Sequence, residues 1–292
     1  MGEPPVRGAR AYRARGQRAQ GPRRRGVALV AISQSQTKSD RSDVQMLARL
    51  GRADPQLLSP VQHRSEATQR ALVRLKVREA LVRGRVNQIN TVRFVLKSLG
   101  TFIPRSIKAT AFTRKVRALL SAADTALVAE LLEAVDHLNA KLKQLDLELE
   151  TLGTERYPAT QRLRQVAGVG PLTALCFVLT IESHERFAHA RDVGPYLGLV
   201  PRRDQSGLSD KQLGITKAGH VQLRCLLVNC AHYILGRFGP PCHLREAGLR
   251  IAARGGKSAK KRAVIAVARK LAVTLLALWK TNADYQPLLQ AA

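Results

Sequence analysis

Residues 128–152, VAELLEAVDHLNAKLKQLDLELETL, decide the fold class. Val128, Leu131, Val135, Leu138, Leu142, Leu145, Leu149 and Leu152 recur in alternating steps of three and four. That spacing makes an apolar a/d seam along one helix for more than three heptads. A seam of this kind has to be covered. A second copy of the chain can cover it, which makes the helix an oligomerisation arm, or another helix of the same chain can fold back on it. A candidate lies just upstream, where residues 66–98 read as one long helix. Leu75, Val82, Ile89 and Leu96 recur there at seven-residue spacing, with Leu72 and Val86 beside the stripe. Gly100 and Pro104 end it, and the seam helix is expected to start near Phe112. Residues 63–155 are therefore expected to form a helical hairpin or coiled coil, and both ways of covering the seam stay open.

Outward from this core the pattern changes. After Thr154 shorter helical stretches alternate with glycine and proline, which predicts a helical domain over 156–285 whose last helix runs from about Lys261 to Lys280. Toward the N-terminus, Ser39 or Asp40 reads as the cap of a helix whose Val44, Leu47 and Ala48 face inward, stopped by Asp54-Pro55. GVALVAIS at 26–33 reads as a buried strand, assigned to a unit of 27–62. Residues 1–26 hold arginine, glycine, alanine and proline with almost no bulky apolar side chain, the composition of a disordered tail.

Charge narrows the partner. The chain has 49 Lys+Arg against 21 Asp+Glu, a formal net charge of +28 in 292 residues. Such an excess points to a polyanion, and no apolar run is long enough to span a bilayer, so nucleic acid is expected rather than membrane. Aromatic residues are 4% of the chain, which argues for binding through phosphate rather than through base-stacking platforms. Cys176, Cys225, Cys230 and Cys242 lack paired zinc spacing. Cys225 and Cys230 sit in an apolar helical pattern and read as buried thiols of a reducing cytoplasm.

Three patterns carry possible chemistry. Gly168-Val169-Gly170 followed by Pro171 ends one helix and starts another, as in a helix-hairpin-helix, where the free N–H groups of the new helix can hold a phosphate. The same turn also serves tight packing of two core helices. Asp40 and Asp43, three apart at a helix start, place two carboxylates on one face and could share a Mg2+ ion, although acids at this position also serve as ordinary caps. Ser206 stands beside Gly207 with Arg202, Arg203, Lys211, Lys217 and Arg224 around it. A hydroxyl among cations suits phosphodiester chemistry, because the cations stabilise the charge of the transition state, and it equally suits a basic turn that only touches phosphate. Asp204 and His220 are the nearest candidate bases by sequence.

Taken together and in this order, the patterns resemble the DEDD-type insertion-sequence transposases, relatives of the Piv-type DNA invertases and of the bridge-RNA-guided recombinases. The resemblance runs from about Gln36 to Leu289. The family's K-[TS]-D-x-x-D-A helix is met by Lys38-Ser39-Asp40-Arg41-Ser42-Asp43, with Val44 where alanine is usual, and its continuation by 47–55, LARLGRADP. Its GVG, YLGL-x-P and SG…G-x-I-T-K-x-G-x-x-x-L-R motifs appear at 168–170, 196–201 and 206–224. The resemblance implies a RuvC-like domain, here a remnant, then a coiled-coil arm for homo-oligomer assembly, then a helical transposase domain. It implies DNA as partner, with a guide RNA beside it, and a DNA-associated location in a bacterial cytoplasm. It also implies Ser206 as nucleophile, and Asp40 and Asp43 as the last two acids of a Mg2+ site. The family's first Asp and its Glu lie on upstream strands, and the sole carboxylate before Asp40 here is Glu3. The comparison thus leads us to expect a chain shortened at its N-terminus that holds Mg2+ weakly and does not recombine DNA by itself. The alternative is a non-catalytic nucleic-acid-binding protein that uses the hairpin turn and the coiled coil.

Overall fold

The structure, a computed structural model, describes residues 39–53, 63–206 and 209–288. The strand expected in 26–33 and the arginine-rich segment lie outside them. The described chain is mainly α-helical, as expected, with one two-stranded sheet.

Helix α1, Asp40–Ala53, begins with a reciprocal cap. The Ser39 hydroxyl accepts from the Ser42 N–H at 3.1 Å, and the Ser42 hydroxyl accepts from the Ser39 N–H at 3.3 Å. The inward face expected of this helix is not observed. None of its residues is buried, and Val44 is 64% exposed, because no described element covers that face.

The chain divides into two compact units. One holds 63–186 with 281–285, and the other includes 187–280. The boundary falls inside the span 156–285 that the sequence reads as one domain.

In the first unit α2, Glu66–Ser98, runs the length of the arm. Its Ser65 cap accepts from the Thr68 N–H. The return path is not one helix from Phe112 but three: α3 Phe112–Leu119, α4 Ala122–Leu127 and α5 Ala129–Arg156. The break has a local cause, since the Ser121 hydroxyl accepts from the Asp124 N–H at 3.0 Å and starts a new helix, as an N-cap does. Helix α5 then lies antiparallel on α2. The Arg74–Glu148 and Arg78–Asp146 ion pairs and the Arg85–Asn139 hydrogen bond cross between them, one number rising as the other falls. The seam is thus covered within the chain. Leu72, Leu75, Ile89 and Leu96 of α2 are buried, as are Val135, Leu142, Leu145 and Leu149 of α5. Val86 is exposed.

At the near end of the arm sit α6, Ala159–Leu163, and α7, Pro171–Ile181, whose residues from Thr173 to Ile181 are all buried. Gly153 of α5 lets Leu175 approach within 3.9 Å of the Cβ it lacks. Arg64 donates to the Thr180 carbonyl at 3.0 Å and ties the start of α2 to the same helix.

The second unit has α8 Val193–Tyr196, the strands β1 Pro201–Ser206 and β2 Ser209–Ile215, then α9 Val221–Leu235, α10 His243–Ala253 and α11 Ala259–Thr281. Val267 of α11 and Leu235 of α9 both crowd the space where Gly248 of α10 would carry a side chain, so these three helices meet closely. Arg245 donates to the Ile234 and Gly236 carbonyls, both at 2.5 Å, and closes the end of α9.

Candidate functional site

The segment that carries Ser206 is a β-ribbon, where the sequence suggested only a turn within a helical domain. Strands β1 and β2 pair antiparallel, with Arg203 opposite Gln212, Asp204 opposite Lys211 and Ser206 opposite Ser209. A bulge near the base, between Pro201 and Arg203, shifts the register by one residue. Two short polar strands are marginal by themselves. What holds them is the pair of loops at their base.

Those loops interlock through backbone. The Thr216 N–H donates to the Val200 carbonyl at 2.9 Å, and the Lys217 N–H to the Gly198 carbonyl at 3.2 Å. Gly198 sits at φ +68° and Gly219 at φ +71°, and each is pressed against the opposite loop. A Cβ on Gly198 would overlap the backbone of Ala218, and one on Gly219 the carbonyl of Tyr196. Glycine is needed twice over, for the dihedral and for the approach.

Arg224 completes the joint. It is 8% exposed, and one guanidinium nitrogen donates to the Leu197 carbonyl at 3.1 Å and to the Ala218 carbonyl at 2.6 Å. Burial pushes the guanidinium pKa down, though it starts far above neutrality. The sequence suggested that Arg224 meets phosphate. The structure instead makes it a clamp across the two loops, withdrawn from the surface. His220 is likewise occupied, because its Nδ1 accepts from the Leu223 N–H at 3.2 Å and caps α9. That use occupies the Nδ1 of this candidate base.

The remaining residues divide by location. Arg202 and Arg203 are exposed on β1, Lys211 lies in β2, and Lys217 is exposed in the loop at φ +55°. Gly168, Val169 and Gly170 belong to the first unit. Gly168 turns the chain at φ +85°, Gly170 precedes Pro171 at the start of α7, and Val169 points inward, buried. The turn is thus in place, and its valine serves packing. Asp40 and Asp43 lie in the first turn of α1. Among the described residues no group of three or more His, Cys, Asp or Glu is gathered to hold a metal ion.

Sequence reasoning missed a cleft of about 770 Å3 beside the base of the ribbon. Leu199, Pro201 and Ile215 form one wall and α10 and α11 the other, with Lys261, Arg262, Arg269 and Lys270 among its lining residues. The sequence signal was faint, since α11 read only as an apolar helix with a basic start.

The thiols are apart from this chemistry. Cys176, Cys230 and Cys242 are buried, and burial pushes Cys176 up to about 12. Cys225, expected to be buried, is exposed on α9. No helix among the described residues is long and apolar enough to cross a membrane.

Comparison with known proteins falls on the same segment. Residues 160–245 match the model of the transposase family IS116/IS110/IS902, a span that includes the Gly168–Gly170 turn and the whole ribbon with its joint. The chain is 28% identical over 257 residues to the transposase for insertion sequence element IS1111A of Coxiella burnetii, covering 85% of this chain and 68% of that protein. It is 29% identical to the transposase for insertion sequence element IS1328 of Yersinia enterocolitica, covering 56% of this chain and 49% of that one. It is 28% identical to the pilin gene-inverting protein of Moraxella bovis, covering 52% of this chain and 47% of that protein. The chain thus spans about two thirds of the first of these relatives and about half of the other two. Over residues 160–245 the chain is thus similar to the IS116/IS110/IS902 transposases.

Proposed function

We propose that the chain has the DNA chemistry of transposition or inversion, with Ser206 as the nucleophile of a covalent step that does not by itself complete strand exchange. The observation that carries this reading is the ribbon itself. Ser206 ends the first of two paired strands whose base is fixed by the Gly198/Gly219 interlock and the Arg224 clamp. A reactive hydroxyl needs such fixed presentation if it is to meet a phosphate in line. Arg202, Arg203, Lys211 and Lys217 offer charge to the phosphate oxygens, and the cations lining the cleft extend that basic surface. The Gly168–Gly170 turn, as a helix-hairpin-helix, holds backbone phosphate at the start of α7.

In the proposed step the Ser206 Oγ attacks phosphorus and the O–P bond to serine forms. The bond from phosphorus to one deoxyribose oxygen breaks, and that oxygen leaves with a proton. Asp204, two residues before Ser206 on the same strand, is the carboxylate assigned here to take the serine proton. Asp40 and Asp43 suit the carboxylate share of a Mg2+ site, since this ion commonly takes one or two carboxylates and fills its shell with water and phosphate oxygens. When bound there the ion would supply charge neutralisation at phosphate. A homo-oligomer and a guide RNA belong to the same reading.

The test is covalent linkage. The 292-residue chain incubated with end-labelled nicked DNA and Mg2+ is expected to give an adduct on a denaturing gel. Ser206→Ala should bind the same DNA with unchanged affinity and give none. No adduct with the parent chain, or an adduct that survives Ser206→Ala, overturns the reading and leaves a non-catalytic DNA-binding protein.

A further inference from the structure

The far end of the helical arm has a surface that the serine ribbon does not explain. Between Glu79 and Asp124 the chain carries nine arginines and lysines and no carboxylate. Helix α2 ends here in a Schellman turn, with Thr101 N–H donating to the Leu96 carbonyl at 2.9 Å and Gly100 N–H to the Lys97 carbonyl at 3.1 Å, and Gly100 at φ +83°. The loop then turns Ile103 into a core with Leu96, Phe112, Val116 and Leu132. Arg93 fastens it, donating to the Pro104 carbonyl at 3.4 Å while its guanidinium lies 5.2 Å from the centre of the Phe112 ring.

With Ile103 inside, its neighbour Phe102 is left outside, 73% exposed, and Phe94 is 76% exposed on the last turns of α2. Leu99, Lys97, Arg105 and Lys108 are exposed in the same stretch. Two of the chain's six phenylalanines therefore face solvent in a stretch whose charged side chains are all cationic. The low aromatic content suggested no base-stacking surface, but the placement of these few rings matters more than their number.

Two occupants can be compared. A second copy of the same tip would bring like charges together, which opposes association. A polyanion with flat apolar faces satisfies both halves of the surface, with bases on the rings and phosphates on the cations. A duplex keeps its base faces inside the stack, so the fit is to an unpaired strand. We propose that the tip of the arm, through Phe94 and Phe102 with Lys97 and Arg105, binds an unpaired stretch of nucleic acid by stacking. This contact is separate from the chemistry of Ser206 and stands or falls without it.

The test uses the full chain. Phe94→Trp and Phe102→Trp each add one indole to the single native Trp279. Oligothymidylate is expected to quench the added emission, and salt to reverse it. The double variant Phe94→Ala/Phe102→Ala, both at exposed positions, should lose about tenfold or more in affinity for the single strand, in line with alanine substitution at stacked bases, and less than about twofold for duplex. Unchanged emission from both tryptophan variants when anisotropy shows the strand bound would overturn the proposal. So would equal losses for strand and duplex, or quenching by polyglutamate as strong as by the oligonucleotide. Ser206→Ala should leave every one of these readings unchanged.

Discussion

The arm and the base of the serine ribbon achieve order by opposite means. The arm repeats one simple contact, leucine and valine on a seam, along two helices, and leaves Val86 beside the stripe exposed. The ribbon joint uses few side chains. Two glycines at positive φ, two backbone hydrogen bonds and one buried arginine fix two loops whose strands are almost entirely polar. A structure made of many similar contacts loses a little with each change. A joint made of a few dissimilar ones loses most of itself at once. Position by position, the comparison predicts opposite responses to the same substitution.

The largest effect is expected at the joint. Gly219→Ala places a methyl against the Tyr196 carbonyl at φ +71°, and Gly198→Ala places one against the Ala218 backbone at φ +68°. Neither neighbour is the movable end of a side chain, so a loop has to open. The cost is more than about 3 kcal/mol, the class of backbone strain combined with a clash. Hydrogen exchange should show residues 193–224 losing protection in both variants while the arm keeps its own. If both variants exchange like the parent chain, the interlock is not what holds the ribbon.

Arg224→Met comes next. Methionine fills much of the same space and donates nothing, so the Leu197 and Ala218 carbonyls lose their shared partner. Losing hydrogen bonds from a charged donor costs about 2–3 kcal/mol. Arg224→Lys keeps one donor group without the planar fork and should fall between. This substitution separates the clamp from a phosphate contact. A phosphate contact would leave unfolding in urea unchanged and lower the salt dependence of DNA binding, whereas a clamp moves the urea midpoint first.

The same contrast explains what could be read from the sequence. The arm was legible because its stabilising residues repeat, so Leu75, Ile89, Leu142 and Leu149 announce both helices and the need for a partner. The break at Ser121 was hidden, because it turns on one hydroxyl accepting one N–H, upstream of the periodic stretch that announces the helix. The ribbon was invisible for a deeper reason. PRRDQS and SDKQLGI lack the apolar alternation of a half-buried strand, and what pairs them lies outside both, at Gly198, Gly219 and Arg224. Arg224 looked like a surface cation because residue type records charge, while burial depends on the loop that folds over it. Ser206 became prominent through its neighbours in the motif order, and the structure adds the anchored ribbon on which it stands.

The smallest effect carries the sharpest contrast, because its sign is reversed. Gly84 lies inside α2, and a Cβ built there meets nothing within 4 Å. It has ordinary helical geometry, so its cost is purely that of glycine in a helix: extra backbone freedom lost on folding, with no side chain in return. Gly84→Ala should therefore stabilise the arm by about 0.5–1 kcal/mol, seen as slower hydrogen exchange in peptides from 66–98. The substitution that opens the joint would thus tighten the arm. Destabilisation by Gly84→Ala would mean that this face of α2 needs close approach by something outside the chain. That result would put a partner on the arm at mid-length as well as at its tip.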